Sequence, residues 1–171
     1  AKALREWLPK QKDEFARLQG LWLHQALNLP NAKLLTELLG AKEARIRAAA
    51  VRVLADWADP DTDFSPPMYQ GRALRFFRQR INDEHPRVRL EAIRGLARHR
   101  TASAAEVALT VLSKPMDRFL DYGLWLTMNE LAVPFMQALE SGQWKPDSEA
   151  RNKQLEFALT AIEPERAGKY I

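Results

Sequence analysis

The sequence predicts an all-α fold of stacked helical hairpins, a short right-handed α-solenoid, and three observations lead there. Apolar residues recur at helical spacing almost throughout, with no competing alternation of the strand type. Only seven of 171 residues are Gly, too few for the many turns of an all-β fold. Two of the helices also superpose at an offset of 42 residues, a period that belongs to two-helix solenoid repeats.

The elements follow in order. Residues 11–28 form a long helix containing Leu18, Leu21 and Trp22, and residues 32–39 a short one ended by Gly40. Residues 43–58 place Ile46, Ala50, Val53, Leu54 and Trp57 on one helical face. Residues 67–82, after Pro66-Pro67, do the same with Leu74, Phe77 and Ile81. Residues 86–99 start at Pro86, whose missing N–H is harmless in a first turn, and carry Val88, Ala92, Ile93 and Leu96 as the apolar stripe. Segments 103–113, 117–140 and 148–162 complete the array, separated by Lys114-Pro115 and Ser141-Gly142. Pro134 should kink or split the 117–140 helix near Ala132, because it removes a backbone donor and crowds the preceding turn. The set makes about four hairpins in one domain, residues 1–171.

The internal repeat is specific. Arg45, Arg47, Ala50, Arg52, Leu54 and Ala55 meet Arg87, Arg89, Ala92, Arg94, Leu96 and Ala97, six identities in thirteen positions. The common phase predicts burial of Ile46, Leu54, Val88, Ile93 and Leu96, and exposure of Arg52 and Arg94 at equivalent positions. A fainter echo relates LQGLWLH at 18–24 to IRGLARH at 93–99.

Charge is uneven. The chain is +4 overall, but residues 72–100 hold nine Arg against Asp83, Glu84 and Glu91, a net +6, which leaves −2 elsewhere. Such a block attracts phosphates, an acidic partner or an acidic neighbouring domain. Read alone, the sequence shows no aromatic residues interleaved with the outward Arg, as base stacking would require. Cys is absent, which excludes disulfides, thiol nucleophiles, thiolate zinc sites and covalent haem attachment here. The longest run without a charged residue, Leu18 to Ala32, is too short and polar to span a bilayer. Without a starting Met or a basic-then-apolar leader, the sequence reads as a piece of a longer protein.

The run Pro86-x-Val88-Arg89-x-x-Ala92-x-x-x-Leu96 resembles the second helix of a HEAT repeat. That resemblance implies an Asp six residues before the Arg, bonding it and the next repeat. Asp83 fits this relation to Arg89, whereas Ala41 stands six before Arg47. Over nearly the whole chain, LQGLWLHQALN, RIRAAAVRVLADW, HPRVRLEAIRGLA and FLDYGLWLTMNEL together resemble one HEAT region. It is that of large exported dehydrogenase-like proteins of planctomycetes and verrucomicrobia. The resemblance implies a helical region between a β-propeller and a cytochrome-c-like domain, and export to the periplasm or beyond. The propeller's catalytic residues and the haem motif have no counterpart here.

Candidate chemistry is thin. Asp59, Asp61 and Asp63 have calcium-loop spacing, but Phe64 and Gln70 stand where the loop needs Gly and Glu. The run reads as turn capping, and no metal is expected. His24, His85 and His99 lack metal-ligand spacing and read as residues at helix ends. Ser65, Ser103, Ser113, Ser141 and Ser148 lie outside any Gly-x-Ser-x-Gly turn, and no Gly-rich phosphate loop occurs. Trp57 and Trp125 read as core, and Trp144, between Gly142 and Pro146, as the exposed tryptophan.

The expected function is therefore non-catalytic and free of cofactors. The second helices would present Arg45, Arg52, Arg87, Arg94 and Arg98, with Glu91, to a protein partner or neighbouring domain. The second reading is a nucleic-acid-binding module. Some HEAT-like folds are DNA glycosylases with a basic, Trp-lined cradle and an essential Asp, and Arg52, Asp56 and Trp57 are superficially compatible with one. The short chain and the apolar phase of Trp57 count against it.

Overall fold

Side-chain caps decide where most helices begin. The computed structural model describes residues 2–59 and 72–167. Helices α1 (Lys2–Trp7), α2 (Glu14–Ala26), α3 (Ala32–Leu39) and α4 (Ala44–Trp57) precede α5 (Ala73–Arg80), α6 (Pro86–Leu96) and α7 (Ala102–Leu109). They are followed by α8 (Arg118–Glu130), α9 (Ala132–Glu140), α10 (Glu149–Ala161) and α11 (Pro164–Ala167), with no strand among the described residues. Asp13, Asn31, Thr101, Asp117 and Ser148 each accept a backbone N–H from the first turn of α2, α3, α7, α8 and α10. The Asp13 cap is why α2 starts three residues later than its apolar pattern suggests. Asp61, Asp63, Pro66-Pro67 and the expected helical start at 67 lie outside the described residues.

Two layers of helices hold the core between them. α4 packs most extensively on α6, and α2, α4, α6, α8 and α10 lie side by side as one layer. α3, α5, α7 and α9 back this row, so α3/α4, α5/α6 and α7/α8 form successive hairpins. Ile46, Leu54, Val88, Ile93 and Leu96 are wholly buried, as the shared phase predicts, while the Arg52 and Arg94 side chains are 62% and 63% exposed.

The structure departs from the pattern at instructive places. The 117–140 segment splits at Leu131, whose φ −102° and ψ 11° leave the α region. Pro134 cannot donate to the Glu130 carbonyl and its ring would strike that oxygen, so α8 stops and α9 restarts at Ala132, two residues before the proline. α6 ends at Leu96 and continues only as a 3-10 turn to His99. Trp144 is buried and not exposed, because the loop after α9 folds back and the Trp144 N–H donates to the Ala138 carbonyl at 2.9 Å. Its ring meets Phe135 edge-on with centroids 5.3 Å apart, and the Arg151 guanidinium lies over its other side. The α1 turn has no counterpart in the sequence reading. No helix among the described residues is long and apolar enough to cross a membrane.

Gly20 and Gly95, matched in the echoed heptapeptides, are both close-approach points. A Cβ on Gly95 would stand 2.5 Å from Phe77 Cε1 and 3.0 Å from Ala55 Cβ, where α6 meets α5 and α4. On Gly20 it would stand 2.6 Å from Leu8 Cδ1. Gly95→Ala should therefore destabilise the chain by about 1–3 kcal/mol through overpacking. Adding Phe77→Leu should recover part of that, and urea midpoints showing two independent, additive losses would contradict the close packing.

Candidate protein-docking face

Two buried arginines set the spacing of the second helices. Arg47 Nη1 donates to the carbonyls of Ala41 at 2.9 Å and Lys42 at 2.8 Å. Arg89 Nη1 repeats this with the carbonyls of Asp83 and Glu84, both at 2.9 Å. Each arginine also reaches the next hairpin. Arg47 forms a two-pronged pair with the Asp83 carboxylate, 2.8 Å on both prongs, and Arg89 Nη2 donates to the Pro115 carbonyl at 2.9 Å. Asp83 thus bonds the arginine of the preceding hairpin through its carboxylate and gives Arg89 only its main-chain oxygen. This reverses the direction expected from the family pattern. Burial opposes ionisation of Asp83, but Arg47, the His85 N–H and Arg80 outweigh it and hold its carboxyl below the ordinary carboxylate value.

On these braced helices the outward residues fall into rows. α2 shows Phe15, Gln19 and Trp22; α4 shows Arg45, Ala49 and Arg52; α6 shows Arg87 and Arg94, with Glu91 recessed between them. Each row has the one-face spacing of i, i+4 and i+7. α8 closes the series with Phe119, Tyr122 and Leu126. Two arginine rows thus run between two apolar rows. Shallow pockets lie along the seams: about 360 Å³ between α2 and α4, 420 Å³ over Arg52, Glu91, Arg94 and Arg98, and 470 Å³ between α6 and α8.

The face is locally paired. Glu91 is 6% exposed and receives Arg52, with Arg94 Nη1 at 3.7 Å from its other oxygen. It is therefore an internal tether for the two arginines, not a group offered to a partner as the sequence reading had it. Hydrogen bonding to Glu91 raises the pKa of Arg52 against the opposing effect of burial. Arg98 lies 3.4 Å from Asp59 and 3.8 Å from Asp56, and Asp56 also accepts from Gln25 at 3.0 Å. Arg45 and Arg87 are exposed, and their guanidinium groups make no ion pair among the described residues. The structure thus gathers all six candidate residues onto one face in two different roles.

Sequence reasoning missed the flanking apolar rows. Phe15, Trp22, Phe119 and Tyr122 are 53%, 48%, 59% and 60% exposed, so aromatic side chains do accompany the arginines. The sequence reading sets Trp22 beside Leu18 and Leu21, both buried, but Trp22 lies one position further round α2. The available signal was the 15, 19, 22 spacing, parallel to 45, 49, 52. Trp125 is half-buried and stacks on Tyr122, and Trp57 is 4% exposed and belongs to the core. His85 caps α6 through its ring nitrogen, and His99, pushed down in pKa by burial, packs edge-on against Phe77. Among the described residues no cluster of His, Asp or Glu is arranged to hold a metal ion.

The paired layers and the repeated arginine braces define an α-solenoid of helical hairpins. The family model for HEAT repeats matches residues 31–120, more than half of the 171, and the chain belongs to that family. HEAT repeats generally serve as protein-interaction scaffolds and are typically non-catalytic. No curated protein matches the chain in sequence.

Proposed function

We propose that this chain is a non-catalytic scaffold and spacer whose second-helix face docks an acidic protein partner or a neighbouring domain. The observation that carries this is the pair of arginine rows, Arg45/Arg52 and Arg87/Arg94, repeated at 42 residues and bordered by exposed aromatics. Arginine with aromatic side chains is the composition of binding surfaces more than of idle ones. The parent, on the sequence resemblance, is an exported dehydrogenase-like protein in which the solenoid lies between a β-propeller and a haem domain. Partner binding would then be intramolecular, with the arginine rows setting orientation.

The test is calorimetric titration of the chain with each flanking domain of that parent, produced separately. Binding that weakens with salt and is lost on Arg87→Glu/Arg94→Glu is the expected result. Absence of binding to both domains removes the spacer assignment. Turnover of any substrate that survives repurification and disappears on a single pocket substitution would overturn the non-catalytic reading.

A nucleic-acid-binding role is the second reading, favoured by the exposed Trp22, Phe119 and Tyr122 beside the arginines. A cradle of Arg45, Arg52, Arg87, Arg94 and Arg98 would give a salt slope of roughly −4 to −5. Only weak, non-specific duplex binding is expected, about 10⁻⁴–10⁻⁶ M or weaker at physiological salt, because Glu91, Asp56 and Asp59 already engage three of the five. Submicromolar, lesion-dependent affinity lost on Arg52→Ala would promote this reading. Trp57, the residue suggested for a glycosylase-like cradle, is buried.

A further inference from the structure

The seam between α2 and α4 differs from the rest of the face. Arg45, Arg52 and Arg87 line it, and among the described residues no carboxylate does. Its floor is Leu18, Ile46, Ala48 and Ala49, and Phe15 and Trp22 stand half in solvent along one wall. Small side chains at 48 and 49 keep the floor low, which leaves an apolar slot of about 360 Å³. Further along the face the charge is already answered by Glu91, Asp56 and Asp59, and Glu130 lies in the next pocket. Among the described residues, the arginines of this face without an ion pair are Arg45 and Arg87, and both stand at this seam.

We infer that the α2/α4 groove is a binding subsite for an acidic amphipathic peptide segment. One large apolar side chain of the segment seats on Ala48 and Ala49 beside Phe15 and Trp22, and flanking carboxylates bond Arg45 and Arg87. The inference rests on the scaffold reading above and names the chemistry of its partner. Apolar floor and basic rim together select this occupant. A phosphodiester backbone would satisfy the rim but leave the floor unfilled, and a continuous phosphate track would run into Glu91 and Glu130. An uncharged apolar segment would fill the floor but leave Arg45 and Arg87 without counter-charges under the bound chain. Arg52, tethered to Glu91, forms a fixed inner edge to the slot.

The test uses the whole chain and a fluorescein-labelled peptide in which Leu and Phe are separated by paired Glu. Two controls replace Glu by Lys, or Leu and Phe by Ala, and a random DNA duplex serves as competitor. Anisotropy should show binding of the acidic amphipathic peptide alone. Arg45→Glu/Arg87→Glu should weaken it by about tenfold or more and let the Lys peptide bind instead. Ala49→Trp, which fills the slot and leaves every arginine in place, should also abolish binding. Arg45 and Arg87 are exposed and Ala49 is half-buried at the floor of the slot, and unchanged thermal melts would show that both variants fold. Acidic-peptide binding that ignores both variants but is lost on Phe119→Ala/Tyr122→Ala would overturn this subsite while leaving the scaffold reading intact. Failure of the acidic peptide anywhere, with tight duplex binding lost on Arg45→Glu/Arg87→Glu, would overturn both. Self-association that competes with the probe and is lost on Arg45→Glu would give the groove to a second copy of this chain and overturn the peptide assignment.

Discussion

Asp83→Ala will lower the unfolding free energy by about 3–5 kcal/mol, because it strips a buried guanidinium of its two-pronged carboxylate and leaves it only the exposed Glu84 at 3.9 Å. The Arg47 and Asp83 side chains are only 10% and 6% exposed, so water cannot replace the lost pair. Arg47→Ala removes more, since the same side chain also bonds the Ala41 and Lys42 carbonyls and so ties one hairpin to the next. The pair also sets a pH dependence. The folded carboxyl of Asp83 titrates below its unfolded value, so its contribution is complete above the unfolded pKa of about 4. It is lost progressively as pH falls from there through the lowered folded value. Urea unfolding of the wild-type chain should weaken across that acid range, and the Asp83→Asn variant should show a flatter profile. Equal acid slopes in the two proteins would show that the brace contributes nothing.

Leu96→Ala is the second large effect, about 2–5 kcal/mol, with Arg94→Ala under about 1 kcal/mol. The two residues are neighbours on α6, and the contrast comes only from helical phase. Leu96 is wholly enclosed between the layers, whereas Arg94 reaches solvent and touches Glu91 at 3.7 Å. Removing Arg94 leaves Glu91 still held by Arg52, which limits the cost. Equal losses at the two positions in urea melts would contradict the assigned phase of α6 and, through the repeat, of α4.

The legibility of this fold follows from what a helix requires locally. The burial of Ile46, Leu54, Val88, Ile93 and Leu96 was readable because a two-layer solenoid asks each helix for one apolar stripe, and the stripe repeats at 42 residues. The split at Leu131 was readable because Pro134 acts on its own preceding turn. Trp144 was misread because its burial depends on a loop folding back to Ala138, a tertiary event with no local signature. The candidate face was legible in its residues and not in their pairing. Arg45, Arg52, Arg87, Arg94 and Arg98 do share one face, but the number of acids in the sequence could not reveal that Glu91 points into the seam and pairs across helices. The brace was half legible: a six-residue spacing from Asp83 to Arg89 exists, but the carboxylate turns to Arg47, 36 residues earlier in the chain. The apolar border rows escaped because an exposed aromatic one helical position off a stripe looks the same as a core residue in one dimension.

The central claim is that the exposed arginines of this face recognise acidic protein and the buried ones hold the hairpins together. Side-chain NMR of a ¹⁵N-labelled chain tests it directly, through the arginine Nε–H and Trp22 indole signals. Titration with the acidic amphipathic peptide at physiological salt should shift Arg45, Arg87 and Trp22 in a saturable way while Arg47 and Arg89 stay fixed. Duplex DNA should move the exposed set only at low salt. Saturable shifts with duplex at physiological salt, and none with the peptide, would contradict the account.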